Sequence, residues 1–206
     1  MLIMKLAPSV VDVLPEFRYD DIKSDMTEAV IEKFLAAAPS VVDHPFLIHM
    51  LGIPGAGKST YYAKHKEELP PHVFVGFAYV MEALPSYQKD LKEIGSVEAF
   101  KKHELPARVI GYELLGRAIA AKKNIFLDHG GTPQAHAELL SNIKTLGYKT
   151  RMIYVRCDVN VALERAVERE KITHRHTPPQ MIIDRAKFVS RLAPQYKGIV
   201  DEFIEV

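Results

Sequence analysis

Apolar residues follow two alternating rhythms along this chain. Short continuous apolar runs at 46–51, 72–77, 124–128, 149–155 and 199–205 are bounded by turn formers and predict strands. Between them lie longer stretches, about 58–69, 87–104, 106–122, 133–146, 159–170 and 178–191, with apolar positions three and four apart; these predict helices. An earlier helix is predicted over 24–38, "SDMTEAVIEKFLAAA", opened by a Ser or Asp cap and stopped by Pro39. Residues 1–22, with Pro8, Pro15, Asp20 and Asp21, read as irregular. Strands alternating with helices of this length imply right-handed crossovers and a parallel sheet covered on both faces, an α/β fold. The expected organisation is an N-terminal segment and helix over 1–40, then one domain over 41–206. Ligands of such sheets bind at the carboxyl ends of the strands.

Charge and composition narrow the partners. Among 206 residues the formal net charge is only +1, so no bulk electrostatic argument favours nucleic acid or an acidic membrane. No apolar run is long enough to span a bilayer. The opening "MLIMKLAPSVVDVLP" resembles a short leader, but Pro8 and Asp12 interrupt it. The single cysteine, Cys157, excludes an intramolecular disulfide and fits a reducing compartment. A cytoplasmic location is expected.

The strongest chemical signal is "GIPGAGKST", directly after the run "FLIHML" and before a helical pattern. Gly52, Gly57, Lys58 and Ser59 fit the phosphate-binding P-loop pattern G-x-x-x-x-G-K-[ST] in its proper strand-to-helix setting. The residues from Gly52 through Ile53, Pro54, Gly55, Ala56, Gly57, Lys58 and Ser59 to Thr60 are therefore assigned to ATP. Backbone amides converge on the phosphates, Lys58 adds charge, and the Ser59 hydroxyl serves Mg2+. The fold class sharpens to a P-loop NTPase or kinase-like sheet. "DHGG", Asp128 to Gly131, fits a GTPase D-x-x-G, but no guanine-reading N-K-x-D follows. Asp128 is read instead as a carboxylate at a strand end that serves magnesium directly or through water.

The segment "VALERAVEREKITHRHTPPQ" carries the second signal. Arg165 and Arg169 share a helix face, and His174, Arg175 and His176 follow in a basic loop. A basic helix end running into such a loop resembles the lid of small-molecule kinases, which neutralises the transferring phosphoryl group. Arg169 and Arg175 are taken as lid residues. Arg165 fits equally a solvated face with Glu164 and Glu168 as partners. A metal pair at His174 and His176 lacks further ligands.

Taken together, "HPFLIHMLGIPGAGKST", "ALPSY", "GYELLGRAI", "NIFLDHGGT" and "ALERAVERE" with "HRHTP" resemble, in order and spacing, the zeta toxin family of P-loop kinases from about Ser24 to Arg191. The resemblance implies ATP- and magnesium-dependent phosphorylation of the sugar 3′-hydroxyl of UDP-N-acetylglucosamine or a related UDP-sugar. It also implies a bacterial toxin held by an antitoxin. Residues 1–40 are too short for a full helical antitoxin domain, so the partner is expected on a separate chain. Carried over by position, Glu113 and Thr132 contact the substrate, a reading preferred for Glu113 over a plain Glu113–Arg117 pair one turn apart. The family's catalytic aspartate falls at Ala78, expected at the tip of the second strand, and alanine cannot take a proton. Three explanations stand open. The alignment slips, although Glu82 and Asp90 lie a turn or more further on and are expected to face elsewhere. The chain is a natural pseudokinase. Or aspartate was exchanged for alanine because the active enzyme harms its host, the reading that an otherwise complete site favours. The chain as it stands is expected to be inactive or weak. Two alternatives remain: another small-molecule P-loop kinase, and a nucleotide-binding protein without catalysis.

Overall fold

A computed structural model describes residues 19–38, 41–130 and 135–206. Five parallel strands form one sheet in the order β2-β3-β1-β4-β5: β1 (Phe46–Leu51), β2 (Val73–Gly76), β3 (Ile125–Asp128), β4 (Lys149–Tyr154) and β5 (Glu202–Glu205). β1 lies in the middle, and all of it beyond Phe46 is buried. A strand buried on both faces has no reason to alternate polar and apolar residues, which is why its sequence reads as one continuous run.

The helices are α1 (Tyr19–Ile22), α2 (Asp25–Leu35), α3 (Lys58–His65), α4 (Phe77–Ala83), α5 (Pro85–Ala120), α6 (Ala135–Thr145), α7 (Val159–Thr173) and α8 (Pro179–Ile199). α2 begins with a capping box in which the Ser24 side chain accepts from the Thr27 amide, 3.2 Å away, and Thr27 Oγ1 accepts from the Ser24 amide. It packs against α5 and β2, and Ile31 is fully buried there. α5 also covers β2 and β3, while α6 and α8 pack on β4. No helix among the described residues is long and apolar enough to cross a membrane.

Several boundaries differ from the pattern reading. Residues 19–22 form a helical turn rather than irregular chain. The two helices expected on either side of residue 105 are one element, broken instead at Gly95 (φ 82°, ψ 170°), while Pro106 lies inside the helix. That backbone conformation favours glycine, so the break falls where a side chain is missing. α8 continues through Pro194 to Ile199, which shortens the last predicted strand to Glu202–Glu205. The largest difference is α4. The second strand ends at Gly76, and "FAYVMEA" turns at once into a helix.

Candidate functional site

β1 ends at Leu51 and the chain enters a tight loop before α3. Gly55 takes φ 85°, and a Cβ there would lie 2.3 Å from the Ala162 carbonyl oxygen. The loop is thus pressed against the first turns of α7, and only glycine fits. Gly57, at φ 104°, precedes α3 without a side-chain cap, so the first amides of α3 have no side-chain acceptor from the cap position. Lys58 arches back over the loop, its Nζ 3.0 Å from the Gly52 carbonyl and 3.1 Å from that of Ile53. Burial lowers its pKa; Asp128 opposes the shift, and Arg185, Arg175 and Arg169 add to it. An uncapped helix start, a loop of glycines at positive φ and a desolvated lysine together fit a polyphosphate with its magnesium.

The loop opens into a cavity of about 850 Å3. Of the expected site residues, Pro54, Gly55, Gly57, Lys58, Ser59 and Thr60 line it from the loop and α3, and Ala78, Asp128, Arg169 and Arg175 from elsewhere. Gly52 forms the back of the loop with Ile53 and Ala56, and the last two are buried. Asp128 stands level with Met50 of β1 and Gly76 of β2 in the strand register. It therefore lies at the carboxyl edge of the sheet beside the loop.

Ala78 is corrected in position: it sits in the first turn of α4 rather than on a strand tip. Glu82, one turn beyond Ala78 on the same helix, is not part of the cavity lining, as expected, but its Oε1 reaches Arg175 Nε at 3.2 Å. The Arg175 guanidinium carbon also lies 4.9 Å from the centroid of the Tyr79 ring. Arg175 is thus latched to α4 by an ion pair and a ring contact. Arg169 donates to Thr177 Oγ1 at 2.7 Å, while its buried Nε has no partner among the described residues. Burial and then Arg175 lower the Arg169 pKa. Arg165 lines the cavity as well. His174 ends α7 in a left-handed turn, and His176 Nδ1 is 2.9 Å from Glu170, so the two do not form a metal pair.

Glu113 stands apart from this group. It is not part of the cavity lining, and its carboxylate accepts from Arg117 Nε at 2.8 Å. Arg117 in turn donates to both Glu28 carboxylate oxygens, at 2.7 and 2.9 Å. Glu113 therefore belongs to a charge network that ties α2 to α5. Thr132 lies outside the described residues.

Three charged lining residues were not singled out by the sequence pattern: Arg108 and Glu104, paired with each other on α5, and Arg185 of α8. Arg185 has no ion pair or hydrogen bond among the described residues. Burial lowers its pKa, Arg108 lowers it further and Glu104 opposes. A desolvated guanidinium beside a second one is electrostatically unsatisfied until an anion arrives. The i,i+4 spacing of Glu104 and Arg108 was visible in the sequence, but nothing there distinguished Arg185 from a surface residue. Phe100 and Met181 give the same region an apolar side.

Residues 47–191 match the family model described as an AAA domain. No curated protein matches the chain. Among solved structures, a chain of the PezAT chromosomal toxin-antitoxin system of Streptococcus pneumoniae superposes with a TM-score of 0.68 at 16% identity, covering 89% of this chain and 77% of that one. A candidate kinase from Chloroflexus aurantiacus gives 0.52 at 17% identity, covering 80% and 88%. Shikimate kinase from Acinetobacter baumannii gives 0.47 at 20% identity, covering 79% and 84%. At these identities the first two likenesses are of fold alone.

Proposed function

The chain belongs to the AAA domain family, and from that premise we propose an ATP-dependent kinase that phosphorylates the sugar 3′-hydroxyl of UDP-N-acetylglucosamine or a related UDP-sugar. On this reading it is a bacterial toxin of zeta type, acting in the cytoplasm and restrained by an antitoxin on a separate chain. The observation that carries the reading is the cavity. The phosphate loop with Lys58, the unpaired Arg185, its neighbour Arg108, Ala78 and the lid arginines all line it. A cavity with so many cationic groups around one space suits two anionic substrates. The likeness of fold to the toxin-antitoxin structure supports the same choice.

The roles follow from chemistry. The loop amides and Lys58 bind the triphosphate. Ser59 and Asp128 would hold magnesium, which draws negative charge from the outer phosphates when bound. Arg169 and Arg175 face the oxygens on which charge gathers as the phosphoryl group moves. Arg175 must first leave Glu82 and Tyr79, so lid closure exchanges an internal ion pair for one with phosphate. Arg185 and Arg108 would take the diphosphate of the acceptor, and Phe100 and Met181 its apolar parts. The new bond joins the sugar oxygen to the γ-phosphorus as the bond to ADP breaks, and the hydroxyl proton must go to a base. Ala78 stands where that base is expected and has no group to accept it. The chain is therefore proposed to bind both substrates and turn over slowly.

Calorimetric titration in the presence of magnesium and a non-hydrolysable ATP analogue tests this reading. UDP-N-acetylglucosamine should bind more tightly than uridine, N-acetylglucosamine or shikimate. Binding of the ATP analogue with no response to any UDP compound would remove the UDP-sugar assignment and leave a kinase for a different acceptor.

A further inference from the structure

Three histidines from three separate elements meet beneath the floor of the cleft: His49 in the middle of β1, His129 directly after β3, and His136 in the first turn of α6. One ring nitrogen of each lies within 4.8 Å of the others. His49 and His136 are 0% and 1% exposed, and His129, at 9%, reaches the cavity lining. His49 Nε2 and His136 Nδ1 are 3.3 Å apart, and the Tyr112 hydroxyl lies 2.8 Å from His136 Nε2. The His129 ring stacks on His136 with centroids 4.0 Å apart.

The two nitrogens that face each other, His49 Nε2 and His136 Nδ1, share one proton in the metal-free state and offer two lone pairs once it leaves. The other His49 nitrogen, Nδ1, is not part of this pair and is buried with no partner among the described residues.

We propose that His49, His129 and His136 form a binding site for a transition-metal dication of the zinc class, with Tyr112 orienting His136 and the fourth position open to the cleft. Two nitrogens bound tetrahedrally to zinc at roughly 2.0–2.1 Å stand about 3.4 Å apart, close to the observed His49–His136 separation of 3.3 Å. His129 must bring its nitrogen in by about 1.4 Å from the outer limit of the cluster, the difference between about 3.4 Å and 4.8 Å, and must turn out of its stack on His136, because the in-plane lone pairs of two parallel rings do not converge on one ion. Gly130 follows it and leaves the backbone free to adjust. Neutral imidazoles select zinc, copper or nickel rather than magnesium, which demands oxygen, so this site differs in chemistry from Ser59 and Asp128. Bound metal would join β1, the exit of β3 and α6, and would fix the backbone that carries Asp128. Arg108 and Arg185 lie near enough to His129 to oppose a dication. Metal affinity should therefore rise when an anion occupies the cleft.

The unmodified full chain, freed of metal by chelator, is loaded separately with zinc and with cobalt. The site predicts one zinc retained per chain by mass spectrometry of metals, visible absorption bands of tetrahedral cobalt, and a Tm that rises with zinc concentration. Tyr112→Phe should weaken zinc binding about 10- to 100-fold, as loss of an orienting partner does, and His129→Asn should remove the cobalt bands while circular dichroism stays native. Absence of both stoichiometric zinc and cobalt bands in the unmodified chain overturns the proposal and leaves a neutral hydrogen-bonded trio. Magnesium loading is the control, and an equal response to it also overturns the assignment. These readouts do not depend on the acceptor or on phosphoryl transfer.

Discussion

Arg185→Met should move ligand affinity and stability in opposite directions. The guanidinium faces Arg108, whose own partner is Glu104, and burial already lowers the Arg185 pKa. Without ligand, methionine keeps much of the aliphatic bulk and removes an unsatisfied charge, so the Tm should stay level or rise. With an anionic acceptor bound, the same change deletes charge-assisted hydrogen bonds worth roughly 1.5–3 kcal/mol, a loss of about 10- to 150-fold in affinity. The assay pairs scanning calorimetry of the free chain with titration of UDP-N-acetylglucosamine and, separately, of pyrophosphate. Affinity for the ATP analogue should change much less, because the loop amides and Lys58 carry most of that binding. A lower Tm with unchanged acceptor affinity would refute the reasoning and make Arg185 a structural residue held by contacts with the helices around it.

Other perturbations probe the remaining parts. Gly55→Ala should cost about 2–5 kcal/mol in urea unfolding, combining roughly 1–2 kcal/mol for a left-handed backbone with about 1–3 kcal/mol for crowding against Ala162; a loss well under 1 kcal/mol would mean the loop relaxes freely. Lys58→Ala should weaken ATP binding far more than it changes stability, and equal affinity in both chains would defeat the phosphate-loop assignment. Hydrogen bonds from Arg117, then from Tyr19, hold the Glu28 pKa down at about 2. Its folded pKa is below the unfolded value, so its stabilising contribution is complete above the ordinary carboxylate range and fades as pH falls toward about 2. Glu28→Gln should flatten the acid limb of stability in that window, and an unchanged limb would place the acid sensitivity elsewhere. In an Ala78→Asp background, Arg169→Ala and Arg175→Ala should each raise the barrier by roughly 2–4 kcal/mol in single-turnover kinetics, whereas near-full activity would make them a solvated face.

The parts of the fold set by local chemistry were readable from the chain. β1, the phosphate loop and the start of α3 were legible because apolar run, glycines and lysine must occur together to bind phosphate. Ser24 announced α2 because capping is a local bond. The rest depended on tertiary context. Pro106 looked like a helix breaker, yet the break fell at Gly95, where only the backbone conformation decides. α4 was legible in principle, since Phe77, Val80, Met81 and Leu84 follow helical spacing, but the apolar run of β2 flowed into it without punctuation. Glu82 could face Arg175 only once that helix existed. Arg185 and the histidine trio owe their significance to neighbours distant in sequence, and Glu113 shares Arg117, the partner its spacing predicted, with Glu28, which spacing does not reveal.

The central claim is tested most directly by Ala78→Asp. The position lies in the first turn of α4, where a carboxylate is favoured by the helix dipole by about 0.3–1 kcal/mol, so the variant should be at least as stable as the parent chain. Phosphate transfer from labelled ATP to UDP-N-acetylglucosamine, measured side by side, should rise at least about 100-fold, the lower range for a general base. If Ala78→Asp is no faster with any UDP-sugar while the unmodified chain is already active, the base lies elsewhere and the account of this site is contradicted.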